Sequence, residues 1–142
     1  AVGKAQPHVR VPVGHHARHA IEDGLQLLLL VGQGAGAVLH DLLEARQVGA
    51  AIAKEKYGWG RYQFSCLDSL WTKESHWNYR ARNPRTGAHG IPQALPATRM
   101  DIISTDWRTN PITQIEWGLR YIDIRYETPC RALSKFKRSR YY

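Results

Sequence analysis

Apolar and polar positions alternate with helical periodicity in two places along the chain. From Phe64 to Ser75, Cys66, Leu67, Leu70 and Trp71 fall at i, i+1, i+4 and i+5, which predicts an amphipathic helix. One further turn along that stripe stands Glu74, and Trp77 follows it. Ile112, Ile115, Leu119 and Ile122 set out a second helix, widened by Trp117, Tyr121 and Ile124. Asn110 serves as its N-cap and Pro111 as its first residue, and Glu127-Thr128-Pro129 ends it. Between the two, Asn78–Met100 carries Asn83-Pro84, Thr86-Gly87, His89-Gly90, Ile91-Pro92 and Leu95-Pro96, which predicts a loop region or small β-turn lobe. Upstream, the short apolar run Leu25–Val31 is followed by Gly32, Gly34 and Gly36 and a possible short helix from Ala37 to Arg46.

Glu74 is the only acid between Ser69 and Ile91, and it sits on an apolar stripe at a helix end. A carboxylate in that setting loses hydration, which disfavours its charged form and suits it to act as a general acid near neutral pH. The same position also suits a Glu that reaches solvent or pairs with Lys73 or Arg80. Helix geometry alone leaves both readings open. Gln93, in the loop beside the helix end, is equally open between a surface polar residue and a substrate contact.

Charge divides the chain. Of its 142 residues, 1–50 are neutral overall, and 51–142 carry the whole formal charge of +8, both cysteines and every aromatic side chain. We read 1–50 as a leader, stalk or poorly ordered segment and 51–142 as the functional domain. No signal peptide is evident: Glu22 and Asp23 stand where a positive flank is expected. The longest apolar run is far short of the roughly 20 residues a membrane helix needs, so no stable membrane insertion is expected. Gly14 and Pro12 argue against a helix beginning much before His15, His16 and His19, so a solvated His-rich segment with no metal is expected. Arginines near Trp77 and Tyr79 suggest nucleic acid by charge alone, but no recognised nucleic-acid motif accompanies them.

The ordered set of motifs over some 75 residues is specific. It comprises Tyr57-Gly58-Trp59-Gly60, Gln63-Phe64-Ser65-Cys66-Leu67, Leu70-Trp71-Thr72-Lys73-Glu74-Ser75 and the run Thr86 to Pro96 with Gly90-Ile91-Pro92-Gln93. Asp106-Trp107, Asn110-Pro111, Thr113-Gln114-Ile115, Trp117-Gly118-Leu119, Tyr121-Ile122 and Arg125-Tyr126 to Pro129-Cys130 follow. Residues from about Tyr57 to Pro129 thus resemble the lytic transglycosylase domains of actinobacterial secreted proteins, relatives of the soluble lytic transglycosylase and goose-type lysozyme superfamily. The chain departs from that pattern at His76 and Glu127, where the family usually has Gly, and at His89, where it has an aromatic.

The resemblance implies an α+β, mainly helical, lysozyme-like fold with a small loop/β lobe beside the cleft. It implies Glu74 as catalytic acid and Ser75, Gly90, Ile91, Gln93 and Tyr121 as substrate-binding residues, with no cofactor. The substrate would be peptidoglycan, cleaved between N-acetylmuramic acid and N-acetylglucosamine with formation of a 1,6-anhydro end. A monomer that is secreted or associated with the cell wall is expected, with a disulfide between Cys66 and Cys130. Two buried free thiols in a cytosolic protein are the alternative for the cysteines. A hydrolytic muramidase would need a second acid across the cleft, for which Asp101, Asp106, Glu116 and Asp123 are candidates that nothing in the sequence places there. That muramidase, and a catalytically degenerate glycan-binding protein, remain the alternative functions.

Overall fold

The computed structural model describes residues 35–142, with side chains from Leu39 onward. The Leu25–Val31 run and His15, His16 and His19 lie outside them. Four α-helices follow one another: α1 (Ala35–Tyr57), α2 (Arg61–Ser75), α3 (Pro111–Tyr126) and α4 (Pro129–Ser139), with a 3₁₀ helix at Ala97–Ile102. The unit described below runs from Asp41 to Tyr142. Among the described residues, no helix is long and apolar enough to cross a membrane.

Two helices differ from the sequence expectation. α1 was expected to stop near Arg46 but continues to Tyr57. Its second half contains strong helix formers, Ala50, Ala51, Ala53, Lys54, Glu55 and Lys56. Its buried residues Ala45 and Ala53 are too small to draw a clear apolar stripe. α4 was not anticipated, because Thr128-Pro129 reads as a stop. The same pair also starts a helix: Thr128 Oγ1 accepts from the Arg131 N–H at 3.3 Å, and Pro129 takes the first turn. Asn110 and Pro111 do the same for α3, with Asn110 Oδ1 accepting from the Ile112 N–H at 3.0 Å.

The core gathers Leu67, Leu70 and Trp71 of α2, Ile115, Leu119 and Ile122 of α3, and Ala132 and Leu133 of α4 around Trp77 and Ile91. A second cluster, Ala94, Met100, Trp107 and Trp117, holds the loop lobe and the 3₁₀ helix against the other side of α3. Asp68 joins α1 to this core, accepting from Arg46 Nε and Trp77 Nε1, each at 2.8 Å. Cys66 and Cys130 form a disulfide between α2 and α4, with Cα atoms 4.9 Å apart. The bridged residues are 64 apart in sequence, and closing such a loop constrains the unfolded chain by roughly 4 kcal/mol in the chain-entropy picture.

The lobe is small. Two isolated antiparallel bridges, Arg82–His89 and His89–Ala94, are the β structure among the described residues. The architecture is mainly helical with a minor β lobe, as the sequence implied.

Candidate active site

Glu74 stands in the last turn of α2. The helix ends at His76, whose φ of 53° is left-handed; its N–H bonds to the Thr72 carbonyl at 3.0 Å, and the Trp77 N–H reaches the Trp71 carbonyl at 3.4 Å. This is the usual reversal that stops a helix, with His where Gly is the ordinary occupant. It turns the chain sharply, so that Trp77 is buried in the core while Glu74 faces the lobe's side of the helix end.

Two buried side chains fix the loop that faces Glu74. The Ser75 hydroxyl donates to the Ile91 carbonyl at 2.7 Å. Gln114, fully buried on α3, accepts from the Ile91 N–H at 2.9 Å and donates to the carbonyls of Trp107 at 2.7 Å and Tyr79 at 3.0 Å. Gly90 is required beside it: its φ is +77°, and a Cβ there would come within 2.3 Å of Gln114 Oε1. Gly118 has a similar reason, since a Cβ would meet Trp71 at 2.5 Å.

A cleft of about 430 Å³ opens between the helix end, the loop and the chain's last residues. Glu74, Asn83, Gln93, Trp117, Tyr121 and Tyr142 contribute to its lining. Burial pushes the Glu74 carboxyl up to about 7. Among the described residues no hydrogen bond or ion pair holds that carboxyl, so nothing offsets its lost hydration. The Gln93 amide N–H₂ donates to the carbonyls of Gly90 at 2.9 Å and Ala81 at 3.2 Å. Two carbonyl partners fix the amide's orientation and leave Oε1 as the unused acceptor. Asn83 Oδ1 accepts from the N–H groups of Arg85 and Thr86, leaving its own amide N–H₂ for a ligand.

Tyr142 closes one wall. Its hydroxyl accepts from Trp71 Nε1 at 3.0 Å and donates to the Pro92 carbonyl at 2.9 Å, and burial holds its ionisation well above the usual range. Tyr121, stacked on Trp117 with centroids 5.1 Å apart, donates to the Tyr142 carbonyl at 3.4 Å.

Among the described residues, Glu74 is the only side-chain carboxylate lining this cleft. Asp101 accepts from Trp107 Nε1 at 2.7 Å, and Glu116 pairs with Lys56. Asp106 is engaged by Thr113 and Asn110 at the start of α3, bonds that hold its carboxyl below the ordinary range. Asp123 is exposed on α3. None of the four reaches the cleft wall.

Of the residues singled out from sequence, Glu74, Gln93 and Tyr121 come together in the cleft, whereas Ser75, Gly90 and Ile91 are buried behind its lining. Ser75 and Ile91 act on each other rather than facing the open space. Sequence reasoning missed Tyr142 and Gln114. Tyr142 meets Trp71 across 71 residues, so no local pattern announces it. Gln114 had a signal: it lies three and seven residues before Trp117 and Tyr121, a polar residue on an apolar face.

The family model for the transglycosylase SLT domain matches residues 52–134, more than half of the chain. The chain belongs to this family. No curated protein and no solved structure matches it. The SLT domain brings lytic-transglycosylase-type activity on peptidoglycan as its general function, and hence action at the cell wall. The Cys66–Cys130 disulfide suits the oxidising surroundings of that substrate.

Proposed function

We propose that the protein cleaves the β-1,4 bond from N-acetylmuramic acid to N-acetylglucosamine, leaving a 1,6-anhydro end, with Glu74 as the sole acid and base. The observation that carries this reading is a single desolvated side-chain carboxyl in a cleft whose lining, among the described residues, holds no second one. At neutral pH such a group is present in both protonation states, which suits a residue that first gives and then takes a proton.

In the first step Glu74 protonates the glycosidic oxygen as the bond to the anomeric carbon breaks. The N-acetyl carbonyl of the muramic acid attacks that carbon and holds the positive charge. In the second step the Glu74 carboxylate removes the proton from the C6 hydroxyl, whose oxygen displaces the N-acetyl oxygen and closes the anhydro ring. No water enters the balance. Gln93 Oε1 and the Asn83 amide N–H₂ supply an acceptor and a donor for the sugar's polar groups. Ser75 positions the loop that carries Gln93.

Mass spectrometry of peptidoglycan digests tests this. Anhydro ends from the parent, and their loss with Glu74→Gln in a folded protein, are expected. Reducing ends mean a muramidase, and wall binding without products means a glycan binder; either overturns the proposal.

A further inference from the structure

The cleft does not end at Tyr121. Sharing Arg99, Trp117 and Tyr121 with it, a second depression of about 380 Å³ continues past α3 and the 3₁₀ helix. Its walls are of two kinds. Arg99, Arg120 and Arg125 bring three exposed guanidiniums, while Ile102 and Ile124 are left 65% and 70% exposed. Among the described residues no side-chain carboxylate lines the groove and no ion pair uses these arginines. Glu116, one turn before Arg120, is held by Lys56. Arg125 Nε donates to the Tyr126 hydroxyl at 3.3 Å, leaving its terminal N–H groups.

Unpaired guanidiniums beside exposed aliphatic side chains suit a ligand that carries both carboxylates and small apolar groups. A guanidinium takes a carboxylate in a two-pronged, planar fit. Peptidoglycan offers such a ligand at every second sugar. The lactyl ether of muramic acid bears a short peptide with alanyl methyls and free carboxylates. The two depressions meet at Arg99, Trp117 and Tyr121, so a strand seated in the Glu74 cleft lies next to the groove.

We infer that the arginine-lined groove beyond Tyr121 is a subsite for the carboxylate-bearing peptide of the muramic acid, so that the protein prefers strands still carrying their peptides. The inference rests on the peptidoglycan reading of the Glu74 cleft. It adds a requirement that the glycan alone does not impose.

The test is binding to the full chain with Glu74→Gln, which separates recognition from turnover. Two probes are compared by calorimetry: the wall disaccharide with its lactyl-linked tetrapeptide, and the same disaccharide with the peptide removed and the lactyl carboxylate free. The peptide-bearing probe is expected to bind at least about tenfold more tightly. Arg120→Gln with Arg125→Gln should abolish that preference and leave the peptide-free probe within about twofold. The corresponding Lys pair should restore part of it. Equal binding of both probes overturns the subsite and leaves the glycan reading standing. Equal loss on both probes assigns the arginines to the sugar or its lactyl carboxylate, and also overturns it. If neither probe binds, the peptidoglycan reading of the cleft falls as well.

Discussion

The Ser75 hydroxyl donates to the Ile91 carbonyl across 2.7 Å, tying the end of the helix that carries Glu74 to the loop that carries Gln93. Both residues are buried, Ser75 at 6% exposure and Ile91 completely. Ser75→Ala leaves the Ile91 carbonyl without this partner, at a cost of about 1–3 kcal/mol. The expected outcome is a lower melting temperature together with reduced wall-lytic activity, since the two walls of the cleft lose their tie. Ser75→Thr, which keeps the hydroxyl, should restore part of both. Loss of stability with unchanged activity would place Ser75 in the core alone.

Glu74 costs the fold stability when it ionises. Its carboxyl titrates at about 7 in the folded protein, above the ordinary 4.5, so the folded state binds the proton more tightly than the unfolded one. Its stabilising contribution is therefore complete below about pH 4.5, declines as pH rises to about 7, and is gone above that. The shift corresponds to at most about 3 kcal/mol, and partial exposure of the carboxyl reduces this to roughly 1–2 kcal/mol. Glu74→Gln should accordingly raise the melting temperature at pH 8 and leave it nearly unchanged at pH 4. Thermal denaturation at the two pH values checks the sign.

Tyr142 lines the same cleft as this carboxyl. Tyr142→Phe keeps the ring but strips partners from Trp71 Nε1 and the Pro92 carbonyl, whereas Tyr142→Ala opens the wall to water. Better hydration lowers the Glu74 pKa. The alkaline limb of the pH–activity profile is expected to move to lower pH, further for Ala than for Phe. An unmoved limb in Tyr142→Ala would mean that the lost hydration of Glu74 has another source.

His76 and Glu127 hold φ angles of 53° and 68° at the ends of α2 and α3. At both positions the resemblance implies Gly. A side chain in the left-handed region costs roughly 1–2 kcal/mol, so His76→Gly and Glu127→Gly should each stabilise the protein by about 1 kcal/mol. Glu127→Gly also gives up the exposed pair with Arg131, which is worth little. Each melting temperature is expected to rise by a few degrees, roughly 3–6 °C for a domain of this size, measured by calorimetry.

Spacing along the chain is enough to read the content of single helices. The stripe through Leu67, Leu70 and Trp71 predicted α2 and placed Glu74 at its apolar end, and Asn110-Pro111 marked the start of α3 with the right cap. Those features depend on residues within a few turns of one another, where spacing reports a shared face. Thr128-Pro129 shows the limit of such local reading, because the same two residues end one helix and begin another. Packing between distant segments sets which polar groups surround Glu74. It buried Ser75 and Gln114 in the service of the Ile91 peptide, brought Tyr142 against Trp71 and Pro92, and occupied Asp101, Asp106 and Glu116 elsewhere. Each of these outcomes is a pairing between distant segments, and a buried polar group is defined by the partner it meets rather than by its neighbours in sequence.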